Sequence, residues 1–419
     1  MADEDLLRRI HGLEDLDLAA LLCLISREHC IVSTEPDELD TLVEELRLVA
    51  SQTFSLQSAV VDCTPQTTLD DLAIAIQLPP PTPQPLLTPR SPGPRTPSVS
   101  PLRRRGTENS YFRGYSASST EKQYPTTATT PPQIANVILA KNLDRAPKDV
   151  QVQCLELLRT RRILTRTSVQ TAPKQFLFIA VLETGGASRL VSHLNDLFYV
   201  SHWHDPEDGF AHLEEEQGDD GNDFDGRKGG ETASLDSASS VVRRSVAEST
   251  TAPRPSRSRS TNNFHGDQAT ADDGSSLAPS SISSAFPSFS ESDIASLALL
   301  ARQVNMDVEV LRYLMNIITF LRMHRAVAPA GGGITPHATK HFEQLSKSLA
   351  ALHGLDYVTP SLVALAVKKV YPHRIRIVTP ERERSMQWGS DLAAVEALLE
   401  GVNAEFVIED VLAMVEAPL

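Results

Sequence analysis

The chain has 419 residues, 28 prolines, four cysteines and a net charge of −15. This charge excludes a general nucleic-acid binder, because sequence-independent affinity for a polyanion depends on an excess of Lys and Arg. No apolar run is long enough for a membrane span, and the widely spaced cysteines are typical of reduced thiols. We therefore expect a protein of the cytoplasm or the nucleus that has no contact with a membrane.

The first 78 residues alternate between helix and strand patterns. Apolar periodicity predicts helices at 15–27 and 39–49, and short apolar runs at 30–32 and 59–61 predict two buried strands. Pro, Ser, Thr and Arg dominate residues 79–132, where no apolar face can form. We expect this segment to be a disordered insertion.

The folded pattern resumes over residues 133–213. Short apolar strands alternate with helices there, which indicates an α/β fold with a parallel sheet and helices on both faces. The predicted elements are strands at 136–140, 176–181 and 197–200, a helix at 148–158 and a hairpin at 162–171.

Residues 214–290 are first acidic and then rich in Ser and Arg, which predicts a second disordered insertion. The rest of the chain is helical by its periodicity. We divide it into a helical domain at 291–395 and a C-terminal helix within 396–419. The predicted helices span 293–302, 307–323, 335–352, 360–371, 392–400 and 404–416.

The segment after the first strand lacks the residues that bind a nucleotide phosphate. A phosphate loop needs glycines, whose backbone N–H groups converge on the phosphates, and a lysine that neutralises charge. Residues 33–41 contain neither and carry Glu35, Asp37, Glu38 and Asp40 instead. Four carboxylates would repel a triphosphate.

Residues 137–151 read Val-Ile-Leu-Ala-Lys-Asn-Leu-Asp-Arg-Ala-Pro-Lys-Asp-Val-Gln. This segment resembles the Walker B region of the AAA+ ATPases of the MoxR and magnesium-chelatase I-subunit clade, through its Arg-Ala-Pro and Val-Gln parts. The similarity extends over most of the chain outside the insertions. It is greatest to fungal magnesium-chelatase-like proteins, which share the late segment at 385–391. The resemblance implies an AAA+-like core with a helical lid.

Several positions depart from the family pattern. Asp40 stands where the family has the phosphate-loop lysine, and only the adjacent hydroxyl remains, as Thr41. Lys141 and Asn142 replace the Walker B carboxylates that hold magnesium and orient water. The resemblance gives as degenerate nucleotide-site positions Thr34, Asp37, Asp40, Thr41, Lys141, Asn142, Glu183 at the sensor, Leu197 at an arginine position and Leu392 at the lid arginine.

These departures favour a site in which the residues that bind the nucleotide are replaced by residues that stabilise the fold. The strand before Lys141 and the strand before the acidic loop end at the same edge of a parallel sheet. We therefore expect Lys141 to form an ion pair with Glu35, Asp37 or Asp40. We expect no catalytic residue and no cofactor, although ATP and magnesium are required if the family's activity persists.

A metal site has weak support in this sequence. His202 and His204 are one residue apart near a strand end, so their imidazoles share one face. No second pair follows at ligand spacing, and ordinary hydrogen-bonded histidines are the preferred interpretation. Arginines around 145–166 indicate either a solvated face or a partner surface.

The insertions contain candidate phosphorylation sites. Thr88, Ser91, Thr96 and Ser100 each precede a proline, and Ser245 follows two arginines. A phosphate there would add about −1.5 to −2 charge units next to basic residues. A plain Pro/Ser spacer explains the same pattern.

The sequence thus predicts a catalytically degenerate AAA+ module that acts as a protein-interaction or regulatory subunit. Its partners are other protein subunits, and an oligomer is an open alternative. The competing hypothesis is the family's own activity, an ATP-dependent remodelling enzyme of the MoxR or magnesium-chelatase type. A weaker hypothesis is a phospho-regulated adaptor.

Overall fold

The computed structural model describes residues 4–78, 133–164, 169–219, 287–329 and 332–418. The first part of the fold contains seven strands and seven α-helices in these ranges. They are α1 (Glu4–Ile10), α2 (Asp15–Ser26), β1 (His29–Thr34), α3 (Leu39–Leu48), β2 (Ser58–Asp62), α4 (Leu69–Ala75), β3 (Val137–Lys141), α5 (Lys148–Thr160), β4 (Arg162–Leu164), β5 (Val169–Thr171), β6 (Leu177–Glu183), α6 (Ser192–Leu197), β7 (Phe198–Trp203) and α7 (Ala211–Asp219).

The C-terminal part contains six α-helices in its described residues. Its helices are α8 (Glu291–Gln303), α9 (Val308–Met323), α10 (Pro336–Leu352), α11 (Pro360–Val370), α12 (Leu392–Leu399) and α13 (Ala404–Met414). We call α8 to α13 the lid.

Five parallel strands form one sheet in the order β2-β3-β6-β1-β7. Successive residues of a strand point to opposite faces of the sheet. Since the central strands consist of consecutive apolar residues, both of their faces are apolar. Leu139 and Ile179 belong to the apolar cluster on one face, whereas Ile138 and Phe178 belong to the cluster on the other. This confirms the predicted α/β core with helices on both faces.

The lid shares its core with one face of the sheet. One apolar cluster contains Leu21 of α2 and Leu139 of β3 together with Leu314 of α9, Phe342 of α10 and Val363 of α11. The lid helices therefore bury their apolar faces against the sheet layer and each other. This contact fixes the lid on the core.

Local caps determine where two lid helices begin. Thr335 precedes α10 and accepts a hydrogen bond from the Ala338 amide (3.0 Å), and Thr359 accepts from the Leu362 amide (3.4 Å) at α11. Both helices have proline at their first position, where no amide donor is needed. The Thr-Pro dipeptides thus act as helix starts.

Some elements differ from the sequence interpretation. The short helices α1 and α4 were not predicted. α7 runs past residue 213 and α12 crosses residue 395, so both predicted boundaries fall inside helices. The hairpin is present as the antiparallel pair of β4 and β5. Most of the two predicted insertions, with Thr88, Ser91, Thr96, Ser100 and Ser245, lies outside the described residues.

The chain leaves and re-enters the fold at one place around residues 79–132. The Leu78 amide donates to the Gln133 carbonyl oxygen (2.9 Å), and Gln77 forms an antiparallel bridge with Ile134. A short link could therefore join the two ends. Across the described ranges, no helix combines the length and the hydropathy of a bilayer-spanning segment.

We expect that deletion of residues 84–128 leaves the free energy of unfolding almost unchanged. The ends already meet, and each doubling of loop length changes the closure cost by only about 0.6 kcal/mol. Deletion of 220–285 should behave alike, because its composition cannot form a core. Urea unfolding of each deletion and of both together checks this, and a loss of cooperativity would show that an inserted segment packs on the fold.

Candidate functional site

Three neighbouring strands end at one edge of the sheet and bring predicted site residues together. Thr34 ends β1, Lys141 ends β3 and Glu183 ends β6. β6 lies between the other two strands, and Thr34 is in register with Glu183. Ligands of open α/β sheets bind at the carboxyl ends of the strands. This edge is therefore the candidate site.

The loop after β1 is short and leads through one helical turn into α3. Pro36–Glu38 form one turn of 3₁₀ helix, and α3 begins directly after it. Leu39 is buried in the core, whereas a phosphate loop has a glycine immediately before its lysine. Thr34 is buried, and its hydroxyl donates to the His204 carbonyl oxygen (3.1 Å). The hydroxyl at the end of β1 thus hydrogen-bonds within the protein.

Lys141 and Asp40 form an ion pair at this edge. The Lys141 side chain is 15% exposed and the Asp40 side chain is 86% exposed, so the carboxylate covers the ammonium from outside. Thr41 is half-buried next to Asp40, and Asp37 is exposed. The sequence predicted a pair between Lys141 and one of the loop carboxylates, and Asp40 is that partner.

Further ion pairs surround Glu183. Arg145 contacts the Glu183 carboxylate, and Arg189 Nη2 lies 3.9 Å from it. Arg189 Nε also donates to Asp144 Oδ2 (2.7 Å), whose side chain is fully buried. Loss of Arg189 would therefore leave a buried carboxylate without its cation. The sequence interpretation missed Asp144 and Arg189, and only their place in the loops after β3 and β6 could have indicated them.

The backbone after β3 turns sharply. Asn142 has a left-handed conformation (φ 54°), which Asn adopts more readily than most residues. Its amide donates to the Val181 carbonyl oxygen (2.9 Å), which holds the turn against β6. Asn142 is mostly buried. The left-handed turn therefore explains why an Asn occupies position 142.

The charges at this edge compensate each other within the chain. Lys141, Arg145 and Arg189 each contact a carboxylate, as described above. A triphosphate would have to compete with these carboxylates for every cation, and a divalent ion would meet the ammonium of Lys141. The arrangement is thus one that neutralises these cations within the chain and stabilises the fold.

The two remaining predicted positions carry no charge. Leu197 ends α6 and packs against the apolar cluster that contains Ile138. Leu392 begins α12 and is 38% exposed. Neither aliphatic side chain can neutralise a phosphate.

His202 and His204 use ring nitrogens in hydrogen bonds to the protein. His202 Nδ1 is 3.1 Å from Lys369 Nζ, and His204 Nε2 is 3.1 Å from the Gly209 carbonyl oxygen. Their ring centroids are 6.4 Å apart. Within the described ranges, no group of three or more His, Cys, Asp or Glu side chains is arranged for a metal ion.

A buried arginine of the lid, Arg374, holds the lid against the core. We call Arg374 and its contacts with Asp196 and Phe198 the lock. Arg374 follows α11, and its side chain is 1% exposed. Its guanidinium donates to the carbonyl oxygens of Asp196 (3.1 Å) and Phe198, and its Nε is 3.5 Å from Asp196 Oδ1. Thr335 donates to the same Asp196 carboxylate oxygen (2.6 Å). Burial lowers the pKa of Arg374 to about 10, opposed by the Asp196 charge, so the guanidinium stays protonated at neutral pH.

A glycine allows this close approach. Gly333 has φ 94°, and a Cβ at this position would lie 2.0 Å from the Arg374 carbonyl oxygen. Only glycine fits both the conformation and the space. The close approach of the Arg374 backbone thus explains the glycine at this position.

Glu28 and His341 lie next to the lock. His341 Nδ1 is 2.8 Å from Arg374 Nη2, and its Nε2 is 3.7 Å from Glu28 Oε2. Burial, with the Arg374 charge, lowers the pKa of His341 to about 2, so the ring is neutral. Burial raises the pKa of Glu28 to about 7, although His337 and Arg161 oppose the shift.

We expect a coupling free energy below about 1 kcal/mol between Lys141 and Asp40, because the carboxylate is mostly exposed. A double-mutant cycle of Lys141→Met and Asp40→Asn in urea unfolding measures it. The coupling should weaken with salt. The Arg47–Glu44 pair, on the surface of α3 and about half exposed, is the matched control. A coupling of zero at low salt would contradict an ion pair in solution.

We expect Glu28→Gln to stabilise the protein increasingly as the pH rises from about 4.5 to about 7. A carboxyl whose pKa is raised in the folded state binds its proton more tightly there, so folding loses stability as that proton dissociates. The gain at pH 8 should be on the order of 1–3 kcal/mol. Urea unfolding at both pH limits checks this, with the exposed Glu309→Gln as control. An equal effect of Glu28→Gln at every pH would contradict the shift.

Known proteins support the fold. The model of the AAA lid domain matches residues 322–395. Maintenance of telomere capping protein 2 from Lachancea thermotolerans is 30% identical over 117 residues, 27% of this chain and 41% of that protein. The protein of the same name from Kluyveromyces lactis is 30% identical over 98 residues, 23% of this chain and 36% of that protein. The aligned part is thus less than half the length of either relative.

A solved structure covers nearly the whole fold. It is an inferred ATPase from Cytophaga hutchinsonii, with a TM-score of 0.57, 13% identity, and coverage of 99% of this chain and 94% of that one. At this identity the likeness concerns the fold. The family match of this chain is to the AAA lid domain, over residues 322–395.

Proposed function

We propose that this chain is a catalytically silent AAA+ module that acts through contacts with other proteins. The observation that carries the proposal is the ion pair between Lys141 and Asp40 at the nucleotide edge of the sheet. The family to which the sequence is similar has a lysine in the loop and carboxylates at the strand end, whereas this chain has Asp40 in the loop and Lys141 at the strand end. They satisfy each other without a ligand.

Phosphoryl transfer depends on positioned positive charge. An active ATPase of this fold uses a loop lysine on the phosphates and acidic groups that hold magnesium. Here the loop provides Asp40, and the strand end provides Lys141. The residues present do not fit magnesium and ATP, because the ammonium repels the metal and the loop carboxylates repel the phosphates.

The lock between lid and core also supports a silent module. Lids that respond to a nucleotide must move relative to the core. In this chain Arg374 is buried against Asp196 and Phe198, and the lid shares an apolar core with the sheet. Motion of the lid would expose an arginine and leave its partners unsatisfied, at a cost of several kcal/mol by the usual scale of about 3–5 for a broken buried pair.

The relatives indicate the kind of role. Two yeast proteins that share about 30% identity with part of this chain are named for the maintenance of telomere capping. We place this chain in the same class, as a regulatory subunit of a protein assembly in the nucleus. Its partners are proteins, and the phosphorylation candidates in the insertions would tune these contacts.

The second candidate function is an ATP-dependent remodelling enzyme of the MoxR or magnesium-chelatase type. Thr41 favours it, because this hydroxyl is kept in the first turn of α3, where the family uses it to bind magnesium. The fold and the lid are also those of an AAA+ module.

Isothermal titration calorimetry of the purified full chain with ATP and magnesium, together with a phosphate-release assay, distinguishes the two candidate functions. We expect no saturable heat up to millimolar ATP and no phosphate release above the uncatalysed rate, since the charges needed for transition-state stabilisation are missing. Asp40→Ala should not change either measurement.

The opposite result would be a turnover that is lost in Asp40→Ala or Lys141→Met but kept in Arg47→Met, which alters an exposed pair on the same helix. That outcome would establish the remodelling enzyme and remove the silent module.

A further inference from the structure

The sheet has an open side at β2. This strand is the last in the order β2-β3-β6-β1-β7, and it pairs with β3 on one side. Among the described residues, no strand lies on its other side, which we call the outer edge of β2. The edge of a sheet carries backbone N–H and C=O groups that can pair with another extended chain.

The pairing with β3 identifies the groups that face outward. The Cys63 amide donates to the Lys141 carbonyl oxygen (2.9 Å), so odd-numbered positions of this segment bond to β3. The side alternates along the strand in a parallel ladder. The residues whose amide and carbonyl groups point away from β3 are therefore Ser58, Val60 and Asp62. Within the described ranges, these groups have no backbone partner on the outer side.

β2 has little protection against pairing at this edge. Natural edge strands are commonly protected by lysines, prolines or bulges. Residues 58–61 have no charge and no proline, and their register with β3 is regular. Val60, in the middle of the strand, is 38% exposed. The outer edge of β2 is therefore suited to strand addition, in which a peptide extends a sheet through main-chain hydrogen bonds.

A groove next to this edge can select the side chains of an added strand. Its volume is about 260 Å³, and it is lined by β2, α4 and the loop between them. Val61 and Ala75 are its apolar lining residues, whereas Asp62 and Asp71 carry carboxylates. Hydrogen bonds from the hydroxyl and the amide of Thr68 lower the pKa of Asp71, so this carboxylate is charged at neutral pH.

The charge of the region determines which partner fits. Residues 48–78 contain three aspartates and no Glu, Lys, Arg or His. Lys141 ends the neighbouring strand, and its ammonium is already paired with Asp40. The groove therefore attracts a cation. A second copy of this chain would bring its own aspartates to the same edge, where like charges repel each other.

We propose that the outer edge of β2 binds an extended basic segment of another protein as an added strand. The backbone of the segment pairs with the outward groups of β2. A lysine or arginine side chain enters the groove, where its aliphatic stem lies on Val61 and Ala75 and its charge faces Asp62 and Asp71. This contact rests on the proposed function, for which it supplies a partner of defined chemistry.

Fluorescence anisotropy of a labelled peptide with the full chain tests the proposal. The probe has about nine residues in which lysine and valine alternate, long enough to pair with a strand of this length. In the control peptide each valine is replaced by proline, which keeps the charge but removes these amide donors. We expect saturable binding of the probe, tighter than that of the control by about ten-fold or more. Equal binding of both peptides would show a general charge effect and overturn the proposal.

Val60→Pro localises the contact. The Val60 amide faces outward, so proline removes a donor to the partner and no hydrogen bond to β3. We expect the affinity for the probe to fall by about ten-fold, the usual effect of one lost hydrogen bond. Val60→Thr keeps the amide and the branched side chain and should bind like the unmodified chain. Full binding by Val60→Pro would refute the site.

Asp62→Asn tests the role of charge in the groove. The variant should bind the probe several-fold more weakly, because one of the two lining carboxylates is lost. Glu309→Gln removes an exposed carboxylate of α9 in the lid and is the matched control. An equal loss of affinity in both variants would mean that the net charge attracts the peptide, which would overturn the proposal.

Two other occupants of the edge would give different results. Self-association of the chain that Val60→Pro abolishes would assign the edge to a second copy. Slow hydrogen exchange of the β2 amides in the chain alone, together with no binding of the probe, would assign the edge to a segment of this chain. Either result would overturn the proposal.

Hydrogen exchange of the unmodified chain protects the test against a variant that fails to fold. The Val60 and Asp62 amides should exchange more slowly once the probe is bound, whereas the amides of β6, inside the sheet, should not change. Unchanged exchange in β2 at saturating probe would refute strand addition. Neither readout involves ATP, so a failure here is distinguishable from a failure of the silent module, which calorimetry and phosphate release measure.

Discussion

The position of the lid depends on the buried guanidinium of Arg374. The side chain is almost completely enclosed, and its donors meet backbone carbonyl oxygens of β7 and of the residues just before it. A charge enclosed in this way requires hydrogen-bond acceptors and a counter-charge close by. His341 accepts from the guanidinium, and the Asp196 carboxylate lies 3.5 Å from Nε, which has no hydrogen-bond partner among the described residues. The arginine therefore requires α10, α11 and the start of β7 to keep one relative arrangement.

Burial around the arginine also shifts the pKa values of two neighbouring titratable groups. His341 must be neutral to accept a hydrogen bond from Arg374, and burial beside the cation keeps it so. Glu28 lies on the other side of this imidazole and is held in surroundings that disfavour its charge. Glu28 is therefore a pH-sensitive position next to the lock. Its sensitivity arises from burial of the Glu28 carboxyl itself, which the charge of Arg374 opposes.

The parts of the fold that depend on local pattern were predictable from the sequence. Apolar runs identified all five strands of the sheet, and parallel strand order then placed Lys141 near the acidic loop. Arg189 and Asp144 escaped prediction because both lie in single-turn segments without periodicity. Arg374 and Asp196 are separated by 178 residues, and no local signal connects them. The short helix α4 has only Leu72 and Ala73 buried, too few apolar positions for a periodic pattern.

The place where residues 79–132 leave the fold has a consequence for the sheet. The fragment before it supplies β1 and β2, and the fragment after it supplies β3, β6 and β7. In the order β2-β3-β6-β1-β7, both strands of the first fragment pair with strands of the second among the described residues: β2 with β3, and β1 with β6 and β7. Neither fragment can build the sheet alone. A chain cut in this region would be an obligate two-piece complementation system, in which each half is a template for the strands of the other.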